Sequence, residues 1–437
     1  MSSVAAARSR MQESVLGLRD FRLLWSGQTI ATIGDQIFPV AVTISVLDAG
    51  GDASDVGLVL AARWLALVLF VMAGGVWADR LPRRWVLMGS DAFRAAAVAL
   101  LVVLPGGRPP WLLGAMVFLV GGGEAFFRPA YGALLPSLLP PDRRAAGNAL
   151  TNVSVRTAAI IGPGLGAGLV TATSARVAFA LTVAGFGFSL LMLARLHEPP
   201  LVPDERRSMA HDIREGLAEV WARPWIAAVL GMAAVQLMVS IAPSMVLLPV
   251  ISRREFGTDS VYGAALALMS AGGLVGALAA MRWRPRHPGL VALLGLVPYV
   301  LIPLALLYPV NRWWLFAAYF VAGIGLEPFA ILWQVALQRE IPPDRLARIT
   351  ALDWLTSFAL MPLGLALTGP TVNAVGERTV LAVAGFMMGV PTLLLLRVPG
   401  MKDFRTPGAP ATPAEPGEAE RRPMPTTPRP PGHDPRQ

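Results

Sequence analysis

Long apolar runs constrain this chain more than any other feature. Twelve mostly apolar stretches follow one another with short polar loops between them, and only 15% of the residues are charged. About 20 apolar residues in a helix span a bilayer core of roughly 30 Å, and backbone facing lipid must satisfy its own hydrogen bonds. The sequence therefore predicts an all-α polytopic membrane protein, with spans over residues 21–47, 55–78, 84–104, 110–135, 147–171, 175–196, 223–250, 261–281, 288–308, 313–337, 347–372 and 376–397.

An internal repeat divides the spans into two groups of six. Leu139-Pro-Pro-Asp-Arg143 recurs 202 positions later as Ile341-Pro-Pro-Asp-Arg345, and several glycines and arginines match at the same offset. Six spans separate the copies, and six is an even number. The two halves therefore share one orientation, as parallel repeats do. This pattern predicts an N-terminal half at 21–196 and a C-terminal half at 223–397.

The arginines predict which side of the membrane each loop occupies. If the N-terminus is cytoplasmic, the inner loops between spans hold 16 arginines and the outer loops hold six. Positive residues are retained on the cytoplasmic side, so both termini are expected inside a multi-pass cell (inner) membrane protein. The net charge of +9 follows from this bias, and we expect no nucleic-acid partner.

Three segments lie outside the halves. Residues 1–20 form a short cytoplasmic segment, and residues 197–222 link the halves. Ile213, Leu217, Val220 and Trp221 recur at helical spacing in the linker, which predicts an amphipathic helix on the membrane surface or against the inner faces of the bundle. The Pro-rich tail, 398–437, is predicted to be disordered.

Composition and motif content argue against enzymatic chemistry. The chain has no cysteine, and its four histidines fall in loops or in the tail. No phosphate-binding Gly-rich loop and no nucleophile–base arrangement stands out in the sequence. We therefore predict that the protein is not an enzyme and uses neither a metal nor a cofactor.

The loop after the second span carries a family signature. It reads Gly75-Val-Trp-Ala-Asp79-Arg80-Leu-Pro82-Arg83-Arg84, which resembles the Gly-x-x-x-Asp-Arg-x-Gly-Arg-Arg loop of the major facilitator superfamily, with Pro82 at the second Gly. The resemblance implies the two-halved major facilitator fold and an inner gate that closes by contacts between the halves. We assign to this gate Gly75, Asp79, Arg80, Arg83 and Arg84, with support from Asp91, Arg94 and Asp353.

A second motif indicates the direction of transport. Span 5 contains Gly162-Pro163-Gly164-Leu165-Gly166, which resembles the antiporter motif that marks exporters in the superfamily; a kinked, well-packed helix would also explain it. Leu18–Gly27, Asp35-Gln36, Arg128-Pro129-Ala130 and Pro141–Ala149 are similar to the transmembrane secretion effector branch, which includes siderophore exporters and macrolide-efflux proteins.

Charged residues inside spans are costly and are therefore candidates for function. Asp35 and Arg63 lie at similar predicted depth in neighbouring spans, which suggests an ion pair, and Glu124 and Arg128 are one helical turn apart. Each pair could serve proton coupling or could be a fixed structural pair. The full set of coupling candidates is Asp35, Arg63, Glu124, Arg128, Arg156 and Glu327. Val117 stands where many proton-driven exporters of the superfamily have arginine, so Arg63 or Arg156 would have to substitute.

Uncharged polar residues suggest a substrate cavity. Gln28, Thr32 and Asp35 form one stripe on span 1, and spans 1, 4, 7 and 10 line the central cavity in the superfamily. We therefore predict that the cavity is lined by Gln28, Thr32, Gln236, Ser240 and Gln334.

These features predict a secondary active exporter of a small organic molecule that is drug-, macrolide- or siderophore-like. Alternating access driven by proton antiport is the expected mechanism. A lipid or lysolipid flippase of the same fold, and a non-transporting membrane sensor or assembly partner, are the alternatives. The expected partners are the substrate, protons and membrane lipids, and the protein is expected to be a monomer.

Overall fold

The computed structural model describes residues 15–199, 218, 220–282, 285–341, 349–350, 352–353, 356 and 359–404. Within these residues the secondary structure is entirely helical. The linker helix predicted within 197–222 lies largely outside the described residues, as does the tail beyond residue 404.

Twelve membrane helices make up the two halves. The first half contains α1 Arg19–Asp48, α2 Ala53–Arg80, α3 Arg83–Val103, α4 Pro110–Ser137, α5 Arg144–Ala172 and α6 Ala175–Ala194. The second half contains α7 Pro224–Phe256, α8 Ser260–Arg282, α9 Pro288–Leu307, α10 Arg312–Glu340, α11 Met361–Val375 and α12 Glu377–Leu395. Eleven of these helices are long and apolar enough to cross a bilayer, and α11 is the outer part of the eleventh predicted span, 347–372. The predicted fold class is confirmed.

Local chemistry sets several helix ends. Asp52 caps α2, because its carboxylate accepts hydrogen bonds from the backbone N–H groups of Ser54 and Asp55. The helix α7 continues to Phe256, six residues beyond the predicted end, and stops at Gly257, whose φ of +66° suits glycine. A π-helical turn over residues 237–241 interrupts α7 just before Pro243, which has no N–H to donate.

The most extensive contacts between the halves lie where α2 meets α11 and where α5 meets α8. Gly57 of α2 lies against the carbonyl of Leu365, and a β-carbon at Gly263 of α8 would lie only 2.6 Å from the carbonyl oxygen of Pro163. The ion pair between Arg253 and Asp48, 2.8 Å long, also joins the halves. All these contacts lie toward the membrane side opposite the N-terminus, so that side of the bundle is closed.

The tail begins later than predicted. Residues 398–404 pack onto the second half, and Phe404 is only 2% exposed, with its ring centroid 5.5 Å from that of Trp225 and 5.9 Å from that of Trp333. Proline content placed the boundary at 398, but Val398, Met401 and Phe404 supply apolar side chains that the second half buries.

Candidate transport site

Arg94 holds together one part of a charge network inside the first half. Its side chain is 1% exposed and donates hydrogen bonds to Asp35 of α1, at 3.0 Å, and to Asp91 on its own helix. The guanidinium carbon also lies 4.7 Å from the ring centroid of Phe127 and 4.5 Å from that of Phe186. One buried guanidinium therefore binds two carboxylates on two helices.

Glu124 forms the second part of the network. Its side chain is 8% exposed and accepts hydrogen bonds from Arg63 of α2, at 2.9 Å, and from Arg128 one turn along α4, at 3.0 and 2.5 Å. One carboxylate thus binds two guanidiniums. Together the two parts contain three carboxylates and three arginines, so their formal charges balance within the membrane.

The structure contains the predicted Glu124–Arg128 pair, whereas the predicted Asp35–Arg63 pair was wrong. Asp35 pairs with Arg94 instead, and Arg63 pairs with Glu124. The prediction used depth in sequence-adjacent spans, but α1 packs mainly on α5 and α6, while α2 packs on α4. Asp91 and Arg94, expected to support the inner gate, belong to this buried network.

Arg156 and Glu327 join the two halves. Arg156 lies near the middle of α5 and Glu327 near the middle of α10, and the guanidinium donates to both carboxylate oxygens, with the Nη2–Oε2 distance at 2.6 Å. The Glu327 side chain is 12% exposed, and that of Arg156 is 48% exposed. This pair is therefore a charged contact between halves at mid-depth.

A cavity of about 430 Å³ lies between the halves. Its polar wall groups include Gln36 of α1, Arg63 of α2 and Arg128 of α4. The second half contributes three tyrosines, Tyr262, Tyr299 and Tyr319. The remaining lining is mostly apolar. A second cavity of about 250 Å³ shares Gln36 and Pro163 with the first and reaches Arg156 and Glu327.

None of the five predicted cavity residues lines either cavity. Gln28 donates to Ser189 of α6 at 2.7 Å, and Thr32 donates to the Gln28 carbonyl. Gln236 bonds to Thr392 of α12 at 2.8 Å, which fixes α7 against α12. Ser240 is fully buried, and Gln334 is exposed away from both cavities.

Helix rotation explains the missed cavity residues. Gln36 follows Asp35 directly, and consecutive residues differ by about 100° around a helix of 3.6 residues per turn. Asp35 consequently faces α3 while Gln36 faces the cavity. The tyrosines gave no sequence signal, because an apolar ring inside a span is equally suited to packing.

The glycines of span 5 allow α5 to approach both neighbours closely. Gly162 lies against Gln36, and a β-carbon at Gly166 would lie 3.1 Å from the carbonyl oxygen of Ile37. Pro163, between them, presents its carbonyl to Gly263 of α8. This segment therefore places α5 between α1 and the second half, at the edge of both cavities.

The predicted gate residues lie at the N-terminal side of the bundle. Asp79 and Arg80 are exposed, and among the described residues Asp79 makes no hydrogen bond or ion pair. Glu198, which sequence reasoning missed, accepts from the backbone N–H groups of Arg83 and Arg84 at 2.8 and 2.9 Å, and so caps α3. A β-carbon at Gly75 would meet no atom within 4 Å, so no close helix contact requires a glycine there. Asp353 accepts a hydrogen bond from the indole N–H of Trp333 at 3.1 Å.

Two parallel helical halves with a cavity between them form an architecture that membrane transporters use. The family model of the Major Facilitator Superfamily matches residues 24–364. The chain belongs to that superfamily, so it is a membrane transporter and not an enzyme.

Named relatives are efflux proteins. The chain is 26% identical to the multidrug efflux pump Tap of Mycobacterium tuberculosis, over 86% of this chain and 92% of Tap. It is 25% identical to macrolide efflux protein A of Streptococcus pyogenes, over 82% and 90% of the two chains, and 26% identical to the enterobactin exporter EntS of Salmonella typhimurium, over 88% and 94%.

Solved structures share the fold. A POT family transporter bound to 5-aminolevulinic acid superposes with a TM-score of 0.68 at 15% identity, covering 88% of this chain and 97% of that one. A bacterial homolog of the lysosomal transporter Spinster superposes at 0.64 with 14% identity, covering 88% and 95%.

Proposed function

We propose that this protein exports a small organic molecule by alternating access, driven by proton entry. The central cavity carries the proposal: it lies between two halves that meet on the side opposite the N-terminus. A cavity in this position can load from the N-terminal side and release on the other side after the halves rock about it.

Protons couple to this movement through carboxylates in the first half and at the contact between halves. Asp35 is 23% exposed and shares a single arginine with Asp91, whereas two arginines stabilise the charged form of Glu124. Asp35 is therefore the better proton carrier of the two. Protonation of Glu327 would remove the charge that binds Arg156, which would weaken the contact between the halves.

The cavity fits an amphipathic substrate. Apolar and aromatic side chains form most of its wall, and Arg63 and Arg128 provide hydrogen-bond donors. The names of the relatives make drugs, macrolides and siderophores the first classes to test.

The gate at the N-terminal side closes in the alternate conformation. Asp79 is exposed at the N-terminal side of the bundle, where it engages the other half when the N-terminal sides approach. We expect Asp79→Asn to reach the membrane but to export at least tenfold more slowly. If Asp79→Asn exported at the rate of the unmodified protein, the loop would serve only to set the membrane topology.

The chain is proposed to be a monomer in the inner membrane, with both termini in the cytoplasm. A reporter that is active only outside the cytoplasm should work near Asp52, Arg176 or Arg312. It should be silent near Arg83, Ser208 or the tail. Activity at Ser208 would contradict the arrangement of two parallel halves.

Export is tested in proteoliposomes with an imposed proton gradient. Erythromycin and enterobactin are suitable first probes, each followed by mass spectrometry of the accumulated compound. We expect accumulation against a concentration gradient that collapses when a protonophore is added. Accumulation that survives the protonophore would contradict proton coupling, and uptake no greater than that of empty liposomes for a broader drug panel would contradict export.

A further inference from the structure

A second apolar space lies on the outside of the first half. It is a groove of about 490 Å³ with α2 and α3 as its walls and α4 as its floor. Its lining consists of Phe70, Trp77, Leu81, Trp85, Val86, Gly89, Ser90, Phe93, Phe118, Leu119, Gly122, Gly123 and Phe126. None of these residues lines the cavities between the halves.

The groove faces the membrane. Trp77 is 53% exposed, Trp85 59% and Phe93 47%, and all three lie on helices that cross the bilayer. The one hydroxyl group in the lining, that of Ser90, donates to the carbonyl of Gly123 at 2.6 Å. The other lining side chains are apolar or aromatic, so hydrocarbon is the environment that suits the groove.

Basic residues surround the end of the groove on the N-terminal side. Arg80 is exposed, and among the described residues it has no hydrogen bond or ion pair. The guanidinium of Arg84 lies 5.3 Å from the Trp85 ring centroid and donates to the carbonyl of Ala194. Among the described acidic residues on this side, Glu198 is occupied by backbone N–H groups at the start of α3, and Asp79 is exposed.

The depth of the groove and the charges at its end identify the occupant. Trp77 and Trp85 lie close to the helix ends, where aromatic side chains mark the boundary between hydrocarbon and headgroups. Arg80, Arg83 and Arg84 lie together at this end, and Glu198 is already occupied by backbone N–H groups, which favours an anionic headgroup.

We propose that the groove binds one acyl chain of an anionic phospholipid from the leaflet on the N-terminal side. The chain lies along α4 between Phe70, Phe93 and Phe126, and the phosphate is bound by Arg80 and Arg84. The site is separate from the substrate cavity, so the lipid is a bound component of the transporter and not its substrate.

Gly89 gives a specific test of the groove. It lines the groove, and a β-carbon there would meet nothing within 4 Å, so Gly89→Leu fills the space without a clash. Gly187 of α6 is exposed and equally open but lies outside the groove, so Gly187→Leu is the matched control. Native mass spectrometry of the purified full chain would measure binding of palmitoyl-oleoyl phosphatidylglycerol and of the corresponding phosphatidylcholine.

We expect one phosphatidylglycerol to bind at least tenfold more tightly than phosphatidylcholine. Gly89→Leu should weaken that binding at least tenfold, and Gly187→Leu should leave it unchanged. Equal binding of the two lipids by the unmodified chain, or equal phosphatidylglycerol binding by the two glycine variants, would overturn the proposal. So would a dimer that only Gly89→Leu dissociates, since the groove would then bind a second copy of the chain.

A charge variant tests the headgroup contact without changing the groove. Arg80→Gln should reduce the preference for phosphatidylglycerol at least threefold, whereas Arg144→Gln, an exposed arginine on the same side of the membrane, should not. Equal loss in both variants would show that general surface charge attracts the lipid and would overturn the assigned site. Because these are binding measurements, their outcome is independent of whether the protein exports a drug.

Discussion

Arg94 is the residue on which the charge balance of the first half depends. Its guanidinium is almost fully buried and is shared by Asp35 and Asp91, while two phenyl rings lie within 5 Å of it. A buried carboxylate that loses its partner is strongly destabilising. Arg94 should therefore contribute more to the free energy of unfolding than Arg63 or Arg128, because those two arginines share one carboxylate.

Replacing Arg94 should lower the stability of the protein more than replacing Arg128. Arg94→Gln leaves two carboxylates unpaired, and a cost of about 3–5 kcal/mol is typical for breaking a buried pair. Arg128→Gln should cost less, because Glu124 keeps Arg63 and Arg128 is 47% exposed. Thermal unfolding of both purified variants would measure the difference. Equal melting temperatures would contradict the central role of Arg94.

Asp35→Asn should separate coupling from stability. Arg94 keeps Asp91 as its partner in this variant, so the protein should fold and reach the membrane. Uphill export should nevertheless fall at least tenfold, since the proposed proton carrier is gone, and downhill exchange should persist. Asp35→Glu should retain part of the activity with a changed pH dependence.

A matched control and a second site make the Asp35 result interpretable. Asp142→Asn, in an exposed loop, should export normally. If Asp35→Asn pumps normally as well, Asp35 lies outside the proton path and Glu327 becomes the leading candidate.

At the scale of the helices, the sequence predicted where each helix lies along the membrane normal. It did not predict how each helix is rotated about its own axis. Bilayer thickness fixes the length of an apolar run, so most predicted spans agree with the helices to within a few residues. The rotation of a helix about its axis depends on which neighbour it packs against. Apolar residues occur both on the side of a helix that faces lipid and on the side that faces protein, so their pattern does not reveal this rotation. Gln28 and Gln236 therefore hold helices within one half together, although both were predicted to line the cavity.

Contacts between helices that are distant in the sequence could not be predicted either. The pair Arg156–Glu327 joins α5 to α10 over 171 positions, and each residue was a candidate without an assigned partner. Glu198 lies just after α6 and caps α3, which no local pattern predicts. Such contacts depend on how the bundle folds as a whole.

Reversing the charges of the pair between α5 and α10 should test it as an interaction. Arg156→Glu places two carboxylates together and Glu327→Arg places two arginines together, so each single change should reduce export at least tenfold. The double change restores opposite charges and should recover at least part of the export. A double variant no better than either single variant would show that the residues act independently.

For the whole molecule, the closed side opposite the N-terminus is the basis of the transport proposal. The chain has no native cysteine, so two introduced cysteines can be cross-linked without background. Asp48 of α1 and Arg253 of α7 form an ion pair across the two halves on that side, so Asp48→Cys with Arg253→Cys places two thiols within reach of a short thiol-reactive cross-linker. A reducible cross-link there should hold the closed side shut.

We expect this double variant to lose at least nine-tenths of its export when it is cross-linked, with recovery after the cross-link is reduced. The halves cannot rock apart on the release side while the cross-link is intact, so the cavity can load but cannot empty. The matched control is Arg254→Cys with Glu377→Cys, which joins α7 to α12 within the second half on the same side of the membrane. That cross-link should leave export close to normal, because each half moves as a unit. Undiminished export by the cross-linked Asp48–Arg253 variant would show that this side need not open and would rule out the proposed alternating access.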